Sequence, residues 1–235
     1  MTKDPIIQPS VIFIVDHMSL GGVQRIIAGL AAKDYGDVIF ANHSKGALID
    51  NLPKDTQLIT GGRSPLAFPI TFIKIISYIR RQKPARIHCF LSTGVFLGWL
   101  VSFIFKDINF IFHEQGDYLH RHPGYKFLIR QVSKRGRLIA CSRYMQKLLK
   151  AEIPGIKIES IPNFINHDSF FPDERAGTLF RVEKGIKTDT KLIGFAGRLT
   201  ERKGWENLLE AYSKIQSANS MLLIAGTGEN EETIK

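Results

Sequence analysis

Short apolar runs alternate along the chain with segments whose apolar residues recur every three or four positions. The first run, VIFIV at 11–15, reads as a buried strand, and Val23, Ile26, Ile27, Leu30 and Ala31 follow at helical spacing. DVIFA (37–41) and the weaker TQLIT (56–60) predict two more strands. Phe72, Ile75, Ile76 and Ile79 then form a helical stripe among Lys74, Arg80, Arg81 and Lys83. Further strand candidates are RIHCFL (86–91), NFIFH (109–113), RLIAC (137–141) and KIESI (157–161). Ser142 is placed to cap a helix whose apolar side carries Tyr144, Met145, Leu148 and Leu149.

Strands alternating with helices predict parallel βαβ units and a doubly wound α/β sheet, with ligands at the C-terminal edge of the strands. Pro162, Pro172 and a polar stretch interrupt the pattern, which then restarts. KLIGFA (191–196) is a strand, Trp205, Leu208, Leu209, Tyr212 and Ile215 mark a helix face, and MLLIA (221–225) is another strand. The expected organisation is a Rossmann-like domain over 1–172, a linker over 173–190, and the opening of a second Rossmann-like domain over 191–235. Two strands and one helix leave a sheet edge and a helix face uncovered.

Residues 87–105 carry no Asp, Glu, Lys or Arg. That length suits a membrane span. However, Ser92, Thr93, Gly94 and Gly98 interrupt the stretch, and a buried strand (86–91), a turn and a buried helix (94–105) fit it better. The run 11–15 is too short for the apolar core of a signal peptide. Cys89 and Cys141 each lie in apolar runs, are too few for a disulfide framework, and suit a reducing cytosol.

Charge adds a partner. The chain carries a net +10, all of it in residues 1–170. Nine basic residues and no acidic one lie between Arg121 and Lys150. This band and the 74–86 cluster predict contact with something anionic: a membrane surface, a phosphorylated substrate, or nothing beyond solvent. No nucleic-acid-binding signature accompanies them, so no nucleic-acid partner is expected.

Candidate chemistry falls after the predicted strands. Gly21-Gly22 opens the first helix, where backbone N–H groups suit a phosphate. Arg198 follows the strand 191–196, and Lys203 stands at the next helix entry; two cations there suit a diphosphate. Glu201 between them is an alternative ion-pair partner. Gly226-Thr227-Gly228 follows the last strand, but position 231 is Glu231, so the dinucleotide fingerprint is missing and a nicotinamide enzyme is disfavoured. His113, beside Glu114, ends a strand on the ligand edge, where it suits either proton donation, positioning of a hydroxyl, or a structural role. His120 and His122 lack the carboxylate or thiol partners of a metal site, so no metal is expected.

Taken in order, these pieces resemble glycosyltransferase family 4, which has the GT-B fold of two facing Rossmann-like domains. The matching residues are Gly21-Gly22-Val23-Gln24-Arg25, His113-Glu114, Ala140-Cys141-Ser142 and Ile161-Pro162-Asn163-Phe164-Ile165 before Phe171-Pro172. Phe195-Ala196-Gly197-Arg198-Leu199 with Lys203-Gly204, and Ile224-Ala225-Gly226-Thr227-Gly228, complete the set. The resemblance implies a retaining, hexosyl-type transferase that takes a nucleotide-sugar donor and needs neither metal nor cofactor. Arg198 and Lys203 would hold the donor diphosphate, with the Gly21-Gly22 loop approaching it from the other domain. His113 would lie near the transferred sugar, and Gly226 and Gly228 in the nucleotide-side loop. Fixed cations stabilise the charge left on the diphosphate when the glycosyl bond breaks.

Two departures stand out. Asn163-Phe164 replaces the family's usual Asn-Gly, and the family's Glu–seven residues–Glu motif is absent from these 235 residues. The resulting expectation is a transferase of cell-envelope, lipopolysaccharide or surface-polysaccharide assembly, cytoplasmic or peripheral at the inner face of the membrane. Its acceptor would be a glycan or lipid-linked sugar, and these residues alone would be weak or inactive. The alternative is a non-catalytic module that docks an anionic membrane or lipid-linked acceptor and needs a partner for catalysis.

Overall fold

The computed structural model describes residues 11–32, 36–40, 46, 48–54, 56, 58–60, 68–116, 124–215 and 219–234. They fall into two compact units, 1–165 and 166–235.

The first unit is a seven-stranded sheet. Its strands are β1 (Val11–Val15), β2 (Asp37–Phe40), β3 (Leu58–Thr60), β4 (Arg86–Phe90), β5 (Asn109–Glu114), β6 (Arg137–Ala140) and β7 (Glu159–Ser160). Their spatial order is β3-β2-β1-β4-β5-β6-β7, and every pairing is parallel. The chain winds outward from β1 to β3, then returns to the other side of β1 for β4. The switch point of this doubly wound sheet therefore lies between β1 and β4, where such sheets take their ligands.

Helices α1 (Gly22–Ala31), α2 (Phe68–Gln82), α3 (Leu91–Val101), α4 (Tyr125–Val132) and α5 (Arg143–Glu152) make the connections. Alternation along the strands feeds two cores. Ile12, Ile14, Ile87, Cys89, Phe110 and Phe112 pack with Ile75, Val95, Ile129 and Leu149 on one face. Phe13, Val15 and Phe90 pack with Ile27, Ala28 and Ala31 of α1 on the other. The expected cap is present: Ser142 Oγ accepts from the Met145 N–H at 3.1 Å.

The 87–105 stretch differs from expectation. No turn separates strand from helix, because α3 begins at Leu91, directly after β4, and ends at Val101. Leu91 makes the elbow with φ of 62°, a left-handed conformation that costs a side-chain-bearing residue roughly 1–3 kcal/mol. Gly94 and Gly98 let α3 lie against the sheet. A Cβ at Gly98 would overlap Cys89 Sγ, and one at Gly94 would sit 2.7 Å from the Ile14 carbonyl. Among the described residues no helix is long and apolar enough to cross a membrane. Of the run 157–161, only Glu159 and Ser160 join the sheet. Cys89 is buried, but Cys141, just past the end of β6, is only partly so.

The second unit contains α6 (Glu174–Glu183), β8 (Lys191–Ala196), α7 (Trp205–Ser213), β9 (Ser220–Ala225) and the short α8 (Glu231–Ile234). Helix α6, capped by Asp173, occupies most of the stretch 173–190 read as a linker. β8 and β9 pair in parallel over six residues. Ile186, Leu199 and Trp205 are buried, whereas Leu179, Val182 and Ile215 are exposed.

Candidate functional site

Each unit gathers its candidate residues at the C-terminal edge of its strands. In the first unit, β1 delivers Asp16 and then the Gly21-Gly22 entry to α1. Gly21 takes the N-cap position with extended backbone, no side-chain cap and no acidic residue in the first turn. Among the described residues no side chain caps the positive end of α1. A Cβ at Gly21 would overlap the Gln24 side-chain amide, whereas among the described residues nothing lies within 4 Å of one at Gly22.

No motif or spacing in the sequence marks Asp16. Its Oδ1 accepts the Gly94 N–H at 2.8 Å, tying the end of β1 to the first turn of α3 across the switch point. Burial raises its carboxyl above the usual range, against the hydrogen bonds from Gly94 and Thr93. Beside it, a cleft of about 500 Å³ opens between α3 and α4, lined by Ser92, Thr93, Phe96, Trp99, Tyr125 and Phe127 among others.

His113 is the next-to-last residue of β5, on the same edge. Its ring stacks on Phe90 with centroids 4.0 Å apart, and its Nε2 lies 2.9 Å from Nδ1 of His88. Burial, then the neighbouring His88, lowers the His113 pKa to about 3. Burial, then Arg86, lowers that of His88 to about 4. Both rings are thereby held neutral at pH 7, a form suited to hydrogen bonding and not to donating an imidazolium proton. Glu114 has a scaffold role: it is 1% exposed, accepts from Tyr125 Oη at 2.7 Å and from the Gly116 N–H at 3.1 Å. Asn163, from the departure Asn163-Phe164, donates to Gln115 Oε1 at 3.0 Å.

In the second unit two loops lie side by side. The Gly197 N–H donates to the Ala225 carbonyl and the Leu199 N–H to the Thr227 carbonyl, each at 3.0 Å. Gly226 and Gly228 permit this: a Cβ at either would overlap the backbone of Gly197 or Leu199. Arg198 projects from this pair of loops. Lys203 ends a single 3-10 turn, Glu201–Lys203, and Gly204, in the left-handed conformation, takes the N-cap position of α7. Arg198 and Lys203 are exposed, and neither joins any of the ion pairs among the described residues, Glu201 included. His120 and His122 lie outside the described residues, among which no cluster of three or more His, Cys, Asp or Glu is placed to hold a metal.

A parallel sheet with a β1/β4 switch point, followed by a second parallel βαβ unit, is the arrangement of GT-B glycosyltransferases. The chain belongs to glycosyltransferase family 4: the family model of that name matches residues 22–169, and the model for glycosyl transferases group 1 matches 178–235. Among solved structures it is similar to Anabaena HepE in complex with UDP-glucose. That likeness has a TM-score of 0.76 at 14% identity, over 97% of this chain and 63% of HepE. A glycosyltransferase from Rickettsia africae gives a TM-score of 0.72 at 18% identity, over 96% and 62% of the two chains. A glycosyltransferase of Methanocaldococcus jannaschii, MJ1607, is 42% identical over 57 residues, which are 24% of this chain and 15% of that protein. The chain thus spans less than two thirds of the length of these relatives.

Proposed function

We propose that the chain contributes the acceptor-side domain and the diphosphate clamp of a retaining glycosyltransferase. It would move a hexose-type sugar from a nucleotide donor to a cell-envelope or surface-polysaccharide acceptor, without metal or cofactor. The observation that carries this reading is the exposed pair Arg198 and Lys203, in no ion pair among the described residues, beside the Gly226–Gly228 loop at the C-terminal edge of β8 and β9. Bond breaking leaves negative charge on the diphosphate. Fixed cations and the positive end of α7 would answer that charge in the transition state. His113, neutral at pH 7, then orients a hydroxyl of the sugar. The HepE complex with UDP-glucose supports a uridine diphosphate sugar as the first donor to try. The 235 residues alone would transfer sugar weakly or not at all, since the family's carboxylate pair is not among them.

The test is donor affinity in the polypeptide as its cell makes it. Arg198→Ala and Lys203→Ala should each cost about 1.5–3 kcal/mol, a loss of roughly ten- to a hundredfold. Unchanged affinity in both variants overturns the clamp.

A second reading is membrane docking at the inner face of the cell membrane, as a peripheral enzyme or as a module whose partner supplies catalysis. Lys126, Arg130, Lys134, Arg135, Arg143, Lys147 and Lys150 are all exposed, with Lys126–Glu152 the one ion pair among them in the described residues. Exposed Phe68, Ile70, Ile73, Phe103 and Phe127 accompany them. Cations near an anionic bilayer contribute about 1 kcal/mol each. Binding to vesicles should therefore rise with anionic lipid and fall with salt; binding indifferent to both overturns this reading.

A further inference from the structure

The group left unexplained by the clamp is the second imidazole. His88 stands mid-strand on β4, between Ile87 and Cys89, whose side chains are fully buried in the opposite core. Its own ring belongs to the α1-facing side, with Phe13 at 5.5 Å and Phe90 at 6.4 Å between centroids. An aliphatic or aromatic residue would fill this position at less cost, because a desolvated polar ring is unfavourable until it is paired. What His88 supplies instead is one nitrogen in one direction. In the β4–β5 register, Phe90 pairs with His113, and His88 reaches His113 diagonally. The rings lie 5.1 Å apart at 23°, with Nδ1 of His88 and Nε2 of His113 at 2.9 Å.

We propose that His88 is the positioning residue of His113. Two neutral imidazoles in this contact hold one proton between them, so one nitrogen donates and the other accepts. Whichever way the proton lies, the tautomer of His88 dictates that of His113. The bond also fixes the plane of the His113 ring against Phe90. Among the described residues nothing bonds Nδ1 of His113, and its role toward a ligand, donor or acceptor, is tied to the tautomer of His88. This deepens the reading of His113 as a sugar-side group and rests on it. Both rings stay neutral through the physiological range, and Arg86, two residues back on β4, opposes protonation of His88.

The experiment is nitrogen-15 NMR of the imidazoles in the 235-residue chain at pH 7, for the native sequence, His88→Asn and His88→Phe. Asn offers a nitrogen or oxygen near the place of Nδ1. Phe keeps a ring against Phe13 and Phe90 but offers no partner, and amide dispersion verifies its fold. The native chain should show scalar coupling between His113 Nε2 and His88 Nδ1, with the two rings in complementary tautomers. Asn should keep Nε2 of His113 hydrogen-bonded, seen in its shift, and Phe should abolish the coupling and leave Nε2 with the shift of an unbonded nitrogen. His113 resonances unchanged by Phe, or an Asn variant that behaves as Phe does, overturn the proposal. No nucleotide sugar enters this measurement, so its failure is distinct from failure of the donor affinity test on Arg198 and Lys203.

Discussion

Replacing His88 by Phe should change how the first unit responds to acid. In the unfolded chain a histidine takes up its proton near pH 6.5. In the folded unit, burial delays that step to about pH 4 for His88 and about pH 3 for His113. Between 6.5 and 4 the unfolded state binds more protons, so stability is fully present above pH 6.5 and falls as the pH falls. Each ring contributes a slope of about 1.4 kcal/mol per pH unit well inside that window. From pH 6.5 to 5, where the slope begins at half its full value, the native pair loses about 3 kcal/mol, whereas His88→Phe, with one ring left, loses about 1.6. Other titrating groups, including the raised carboxyl of Asp16, are common to both chains and drop out of the difference. The assay is urea unfolding at pH 7, 6 and 5, followed by tryptophan fluorescence. Trp99 lies in the first unit and Trp205 in the second, so a Trp205→Phe background reports the first unit alone. With a denaturant slope of about 2 kcal/mol/M, the variant's midpoint should gain about 1 M on the native one between pH 7 and 5. A difference that stays constant over that range would mean that His88 titrates in the folded unit as it does in the unfolded chain, and would refute the neutral pair.

Tyr125→Phe removes the buried donor to Glu114 and should destabilise the first unit by about 1.5–3 kcal/mol, read as a lower urea midpoint at pH 7. Gly98→Ala forces a methyl group onto Cys89 Sγ and should cost about 1–3 kcal/mol despite the better helix propensity. Adding Cys89→Ala should recover part of that loss, and strict additivity of the two changes would argue against the close seating of α3. Ser142→Ala should cost about 1 kcal/mol through loss of the α5 cap, visible in the same unfolding assay.

Much of the fold could be read from periodicity. The run at 11–15 and the helical spacing that follows it predict β1 and α1, and the strand–helix alternation predicts the parallel, doubly wound sheet. What escaped depends on contacts distant in sequence. Asp16 looks like an ordinary loop carboxylate until Gly94, 78 residues later, is brought to it. His88 sits in a run whose other members are apolar, and only the β4–β5 register, 25 residues on, makes it a partner of His113. The elbow at Leu91 escaped for a local reason: a left-handed conformation is signalled by Gly or Asn, and Leu gives no such sign. Gly226 and Gly228 were legible as a loop after a strand, but the reason for glycine there, the close approach to Gly197 and Leu199, appears only in three dimensions.

The most direct measurement is transfer itself. The polypeptide as its own cell makes it would be incubated with UDP-glucose and other nucleotide sugars in the presence of that cell's membrane lipids. Released nucleoside diphosphate and the anomeric configuration of the product would be read by NMR. A retaining transferase of family 4 releases the diphosphate and keeps the donor's configuration, and Arg198→Ala with Lys203→Ala suppresses both signals. A product of inverted configuration contradicts the retaining mechanism, and no diphosphate release from any nucleotide sugar contradicts the enzyme.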